Sequence, residues 1–116
     1  MIGTKRRGAG WEQAAALYLS EHGANVLEMN FTVPGAEIDI VCETDGYLVF
    51  AEVKQRFSER FGDAAEAVNA GKRQRIRKAA AIWRERHPQN TLPVRFDVIE
   101  ITPDGLLHHT GAFDFD

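Results

Sequence analysis

Apolar residues recur along residues 11–22 (WEQAAALYLSEH) at Trp11, Ala14, Ala15 and Tyr18, a spacing that gathers them on one side of a helix. Gly23 supplies its stop. Residues 25–33 read as a strand closed by Pro34-Gly35, and residues 36–43 and 47–56 as two strands joined at ETDG. Asp45-Gly46 at that junction is a strong hairpin signal, because both central positions of the favoured turn require positive φ. After a polar segment, Asn69 is placed to cap a helix over residues 70–87, with an apolar stripe at Ile76, Ala79, Ala80 and Trp83 and a stop at Pro88. Residues 94–101 and 106–113 are two further strands around the turn TPDG. The order α-β-β-β-α-β-β predicts an α/β fold, a central mixed sheet flanked by helices, formed as a single domain over residues 1–116.

Charges interrupt two of these strands. Glu37 and Asp39 break the first arm of the hairpin, and Glu52 and Lys54 break the second. Side chains two apart on a strand share a face, so Glu37 pairs with Asp39 and Glu52 with Lys54. The antiparallel hairpin then brings three carboxylates and an ammonium toward one point. Buried, unpaired carboxylates are costly, and their mutual repulsion adds to the cost. A hard divalent cation removes both problems, and a lysine beside it is placed to orient or deprotonate a bound water. The plainer alternative is a same-face ion pair between Glu52 and Lys54, with Glu37 and Asp39 facing solvent. Against it, YLVFAEVK runs apolar up to the charges and reads as a central strand.

Composition adds bounds rather than chemistry. The chain has 116 residues, 44% of them hydrophobic and 27% charged, enough apolar material for a core. The one cysteine, Cys42, lies in an apolar run and reads as a small buried hydrophobe. No apolar run approaches a membrane span, and the basic start is followed by no apolar signal core, so the expected location is the cytoplasm. The net charge of −3 conceals blocks: residues 8–53 hold eight acids and no Lys or Arg, whereas residues 54–86 hold ten basic residues against four acids. An acidic region followed by a basic one can set a cation site beside an anion-binding surface, although such blocks also arise as ordinary solvated faces. His108 and His109 are adjacent on a strand, point oppositely and make a poor metal pair; they read as surface or satisfied residues. Trp11 and Trp83 fall on helix stripes and read as core, not as base-stacking platforms.

An acid in EID on one strand and EVK on the next resembles the PD-(D/E)xK nuclease signature. GWEQAAALYL, GAEIDIV, LVFAEVKQR, FGDAAEAV, KRQRIRKAA and RFDVIEI occur in the order of the small YraN-type family of predicted bacterial endonucleases, which is similar to archaeal Holliday junction resolvases. The resemblance spans nearly the whole chain. It implies a restriction-endonuclease-like fold, hydrolysis of DNA phosphodiester bonds with branched DNA among the candidate substrates, Mg²⁺ or Mn²⁺ as cofactor, and a homodimer. Carried onto this sequence, Asp39 becomes the first metal ligand, Glu52 the second with the Val53 carbonyl beside it, and Lys54 the catalytic lysine. Glu12 matches the helix glutamate of the resolvase-like branch; equally, it suits the first turn of a helix as a dipole partner. EID stands where the signature has PD, which leaves Glu37 an accessory candidate.

KRQRIRK, residues 72–78, holds five cations in seven residues. With Ile76 facing the core, the others are expected to fan around the exposed side. Lys72, Arg73 and Arg75 then suit phosphate contacts, and Gln55 and Arg56 extend the strand beyond Lys54 toward the same backbone. The plainer alternative is a solvated helix face. The whole pattern points to a metal-dependent endodeoxyribonuclease. The rival is a non-catalytic nucleic-acid-binding or protein-interaction module on the same fold, and a third reading is a dimeric scaffold assembled through its apolar strands.

Overall fold

A computed structural model of the chain describes residues 3–56 and 68–114. The elements run α1 (Gly3–Glu21), β1 (Asn25–Val33), β2 (Ala36–Thr44), β3 (Tyr47–Gln55), α2 (Ala70–Arg86), β4 (Val94–Thr102) and β5 (Gly105–Phe113). This is the expected α/β order, with α1 starting earlier than its apolar spacing indicates. The motif FGDAAEAV lies, except for Val68, outside the described residues.

One five-stranded sheet takes the strands in chain order. The pairs β1–β2, β2–β3 and β4–β5 are antiparallel, and β3–β4 is parallel. A parallel pair cannot be closed by a tight turn, and α2 lies in the crossover that joins β3 to β4. The β2–β3 turn has φ of 56° at Asp45 and 79° at Gly46, the two positive values that a two-residue hairpin turn demands.

Each face of the sheet buries its own core. On one face Ile76, Ala79, Ala80 and Trp83 of α2, the stripe read from the sequence, pack over Val41, Phe50, Phe96 and Val98. On the other face Ala15 and Leu19 of α1 pack over Ile40, Cys42, Val49, Ala51 and Ile99. The α1 stripe differs from the expected one: Ala14 is exposed, Tyr18 half-buried, and the i, i+4 pair Ala15 and Leu19 makes the seam. Cys42 is fully buried, and burial pushes its thiol up to about 12.

Two irregularities create the site. Asn30 has φ of 56°, a left-handed conformation that kinks β1 in mid-strand. Opposite the kink, β2 changes face. Ile38 belongs to the α2-side core, whereas Ile40 and Cys42 belong to the α1-side core. The change occurs at Asp39, so strict alternation from Glu37 to Asp39 does not carry through: Glu37 is exposed and Asp39 buried, although both line the opening that results. In addition, β2 and β3 are paired only from Ile40↔Ala51 to Thr44↔Tyr47. Beyond Ala51, β3 stays with β4 as far as Gln55↔Ile101, while β2 stays with β1 as far as Ala36↔Val33. The sheet therefore splits between β2 and β3.

Candidate functional site

The split leaves backbone groups of β3 without a partner strand, and buried N–H groups must be satisfied. The Val53 N–H is met by a side chain: it donates to Asp39 Oδ2 at 2.7 Å. Asp39 is thereby drawn across the opening and held against β3, one residue from Glu52. Both carboxylates are buried, at 7% and 5% exposure.

Their electrostatics reflect that position. Burial is the main cause that raises Asp39 to about 6, offset in part by the Val53 hydrogen bond. Burial, followed by the charge of Asp39, raises Glu52 to about 7, against the opposing pull of Lys72. Glu12 approaches from α1 on the other face. Burial raises its pKa, hydrogen bonding with Asp39 and Asn30 works against the rise, and Glu37 and Glu52 add repulsion. Three elements thus bring Glu12, Asp39 and Glu52 to the point where the sheet divides.

The opening itself is a cleft of about 490 Å³. Thr32, Glu37, Asp39 and Glu52 line it from the sheet, and Lys72 and Arg75 from α2. Glu37 stands at its rim, where its Oε2 accepts a hydrogen bond from the Thr32 hydroxyl at 3.4 Å. α2 begins here because Asn69 caps it: the Asn69 side chain accepts the Lys72 N–H at 2.9 Å. Lys72 forms an ion pair with Glu52 Oε2. It does not fan outward with the other cations, because it lies four residues before Ile76 and so shares the core-facing side of the helix.

The remaining candidates occupy different surroundings. Strand alternation places Lys54 on the face of Glu52, one step further along β3 and opposite Glu100 in the parallel register. It is half-buried and does not line the cleft. Gln55 ends β3, half-buried. Arg56 forms an ion pair with buried Glu100, and its N–H donates to the Ile101 carbonyl at 2.8 Å. Arg73 is half-buried, and Arg75 is exposed.

The residues that could hold a divalent cation are Asp39 and Glu52, hard anionic oxygens already held together, with the backbone of Val53 alongside. Their raised pKa values follow from burial first, with the Asp39 charge adding to the rise of Glu52. Among the described residues no group of three or more His, Cys, Asp or Glu side chains is arranged to hold a metal ion, so Asp39 and Glu52 stand as a pair.

The two histidines point oppositely, as their adjacency implies. His108 Nε2 lies 2.7 Å from Asp97 Oδ2, and its Nδ1 lies 3.1 Å from the Tyr18 hydroxyl. His109 Nε2 lies 2.7 Å from Glu100 Oε1. Both are satisfied side chains. Sequence reasoning passed over Asn30 and the inward role of Lys72. An Asn within an apolar strand was the available signal for the first, since Asn tolerates positive φ better than most residues. The four-residue offset from Ile76 was the signal for the second.

No helix among the described residues is long and apolar enough to cross a membrane. Residues 11–101 match the family described as "Uncharacterised protein family UPF0102". A UPF0102 protein of Symbiobacterium thermophilum is 39% identical over 106 residues, covering 90% of each chain. One of Frankia alni is 41% identical over 107 residues, covering 88% of this chain and 89% of its own. One of Geobacter metallireducens is 40% identical over 114 residues, covering 95% and 93%. The matched segment runs from α1 through β4 and carries Glu12, Asp39, Glu52, Lys54 and Lys72, and the chain belongs to the UPF0102 family, the YraN-type group whose motifs its sequence bears.

Proposed function

We propose that this protein is a divalent-metal-dependent endonuclease that hydrolyses DNA phosphodiester bonds, branched DNA included. The observation that carries the reading is the Asp39–Val53 hydrogen bond at the split of the sheet. It holds one buried carboxylate beside another and opens both to a cleft with cations on its far wall. A bound Mg²⁺ or Mn²⁺ would supply Lewis acidity toward the phosphate and acidify a bound water. Asp39 and Glu52 would hold that ion. Lys54, on the Glu52 face, orients the attacking water, and Arg75 with Lys72 receives the phosphate backbone across the cleft. Glu12 supports Asp39 from the opposite face.

The test is cleavage of a panel of linear, flapped, single-stranded and four-way DNA substrates with Mg²⁺ and with Mn²⁺. The expected result is cleavage by the parent chain, lost in Lys54→Ala with DNA affinity within about threefold, since the lysine acts in the transition state. Mn²⁺ should also raise the melting temperature, and Asp39→Asn or Glu52→Gln should reduce the shift. Tight binding with no cleavage of any substrate under either metal favours the non-catalytic module. An identical Mn²⁺ shift in both carboxylate variants places the ion elsewhere and removes the basis of the reading.

A further inference from the structure

The cleft already contains a cation, and it belongs to the chain. Lys72 Nζ is paired with Glu52 Oε2, and Glu52 is one of two buried carboxylates among the described residues that line the cleft. The other, Asp39, has Oδ2 committed to the Val53 N–H. A divalent ion that enters here must therefore share Glu52 with an ammonium, and like charges on one buried carboxylate repel strongly where the dielectric is low. The root of Lys72 is fixed, because its N–H is held by the Asn69 cap. Among the described residues its head is held by the Glu52 pair alone, and the side chain is 36% exposed at the cleft mouth, on a stem long enough to swing. Arg75 lies on the same cleft wall, three residues on.

Resting on the endonuclease reading, we propose that Lys72 is a resident counter-ion of Glu52 that is exchanged for the metal, and that the released ammonium is received by a phosphate of the nucleic acid. The metal and the nucleic acid then bind cooperatively, because each removes the obstacle to the other. Without nucleic acid the lysine holds the carboxylate and keeps metal affinity low. With a phosphodiester in the cleft, Lys72 and Arg75 have an anion to face and Glu52 is free. Coupling of this kind is reciprocal, so the factor by which nucleic acid tightens metal binding must equal the factor by which metal tightens nucleic-acid binding.

The experiment is calorimetric titration of Mn²⁺ into the full chain, for the parent, Lys72→Gln, Lys72→Arg, Arg75→Gln and Asp39→Asn. It is repeated with a short DNA duplex whose phosphorothioate backbone slows cleavage. Without DNA, Lys72→Gln should bind Mn²⁺ on the order of tenfold more tightly than the parent. Lys72→Arg, which keeps the charge, should stay near the parent value. Arg75→Gln removes a nearby charge that does not touch Glu52, and it should change affinity by less than about threefold. The duplex should tighten Mn²⁺ binding to the parent on the order of tenfold, and to Lys72→Gln by much less. Mn²⁺ binding that is lost in Asp39→Asn but unchanged in Lys72→Gln overturns this inference alone. Equal tightening in Lys72→Gln and Arg75→Gln overturns it too, by reducing the effect to general electrostatics. Parent Mn²⁺ binding that is absent, or indifferent to Asp39→Asn, removes the endonuclease reading and the inference with it.

Discussion

The sheet buries acids in two regions and treats them in opposite ways. On β4, Asp97 is fully buried. Arg95 donates to it twice, from Nε to Oδ1 and from Nη2 to Oδ2, each at 2.9 Å. The Gly111 N–H donates at 3.1 Å, and His108 stands at 2.7 Å. Burial alone raises such a carboxylate, yet the hydrogen bonds from His108, Arg95 and Gly111 hold Asp97 below its usual value. At the split between β2 and β3, Asp39 and Glu52 are nearly as deeply buried, but beside the Val53 N–H and Lys72 their hydrogen bonds run to each other and to Glu12, acids that bring no positive charge. There burial wins, and both carboxylates are raised. The same side-chain chemistry in the same sheet is compensated in one place and left short of positive charge in the other. Compensation marks Asp97 as a structural anchor. The shortfall, in a cleft rather than in a closed core, is the electrostatic basis on which the proposed function assigns Asp39 and Glu52 an incoming cation.

The sharpest way to break the comparison is to remove the compensated charge. Asp97→Asn keeps the shape but leaves Arg95 and His108 facing an uncharged amide in a closed environment. Losing one partner of a buried ionic network costs about 3–5 kcal/mol. Urea denaturation should therefore show a fall of that order, with the midpoint shifted and the slope unchanged. A loss below about 1 kcal/mol would mean that the network contributes little beyond its geometry, and the contrast with the cleft would lose its basis.

The cleft carboxylates should respond in the opposite direction. Their folded pKa values, about 6 and about 7, lie above the ordinary values of 3.8 and 4.5. Between those limits the folded protein binds more protons than the unfolded chain, so its stability falls as pH rises. The contribution is fully present below about pH 4 and is lost through about pH 7. Asp39→Asn keeps an acceptor for the Val53 N–H and removes the repulsion. It should stabilise the metal-free protein at pH 8 by about 1–2 kcal/mol and flatten the pH dependence. Stability melts from pH 4 to pH 8 on parent and variant measure both. A variant less stable than the parent at pH 8 would show that the cleft acids are as well compensated as Asp97.

The same contrast explains what could be read from the sequence. The strands and the α2 stripe were legible because local alternation, turn residues and tertiary packing agree there; Asn69, Ile76 and Trp83 each do what their spacing implies. The α1 stripe was only partly legible. Several small alanines leave the helical wheel nearly degenerate, and only contact with the sheet selects Ala15 and Leu19 and leaves Leu17 at 60% exposure. The approach of Asp39 to Glu52 was legible through the hairpin, but the face change at Asp39 was not. It depends on the left-handed Asn30 in a neighbouring strand, and period-two reasoning assumes an unkinked ribbon. The compensation of Asp97 was hidden for the same reason. His108 and Gly111 reach it through the β4–β5 pairing, and Tyr18 braces His108 from α1, contacts that alternation along one strand does not show.

The smallest expected effect concerns the cations rather than the acids. Arg95 is committed: it serves Asp97 and stands 5.2 Å over the Tyr47 ring. Arg75 is exposed at the cleft wall. A cation of the second kind adds little to folding, so Arg75→Ala should leave stability within about 0.5 kcal/mol. Under the proposed function it has another use. Each phosphate contact contributes to the release of condensed counterions, so losing one should lower the log–log salt slope of DNA binding by about one unit, uniformly across sequences. Fluorescence anisotropy on one duplex and one four-way junction across a salt series measures this. An unchanged slope would assign Arg75 to an ordinary solvated face, leaving Lys72 as the cleft's cation on α2. A reduced slope with unchanged stability would show that this wall of the cleft meets an anion, opposite the buried carboxylates Asp39 and Glu52.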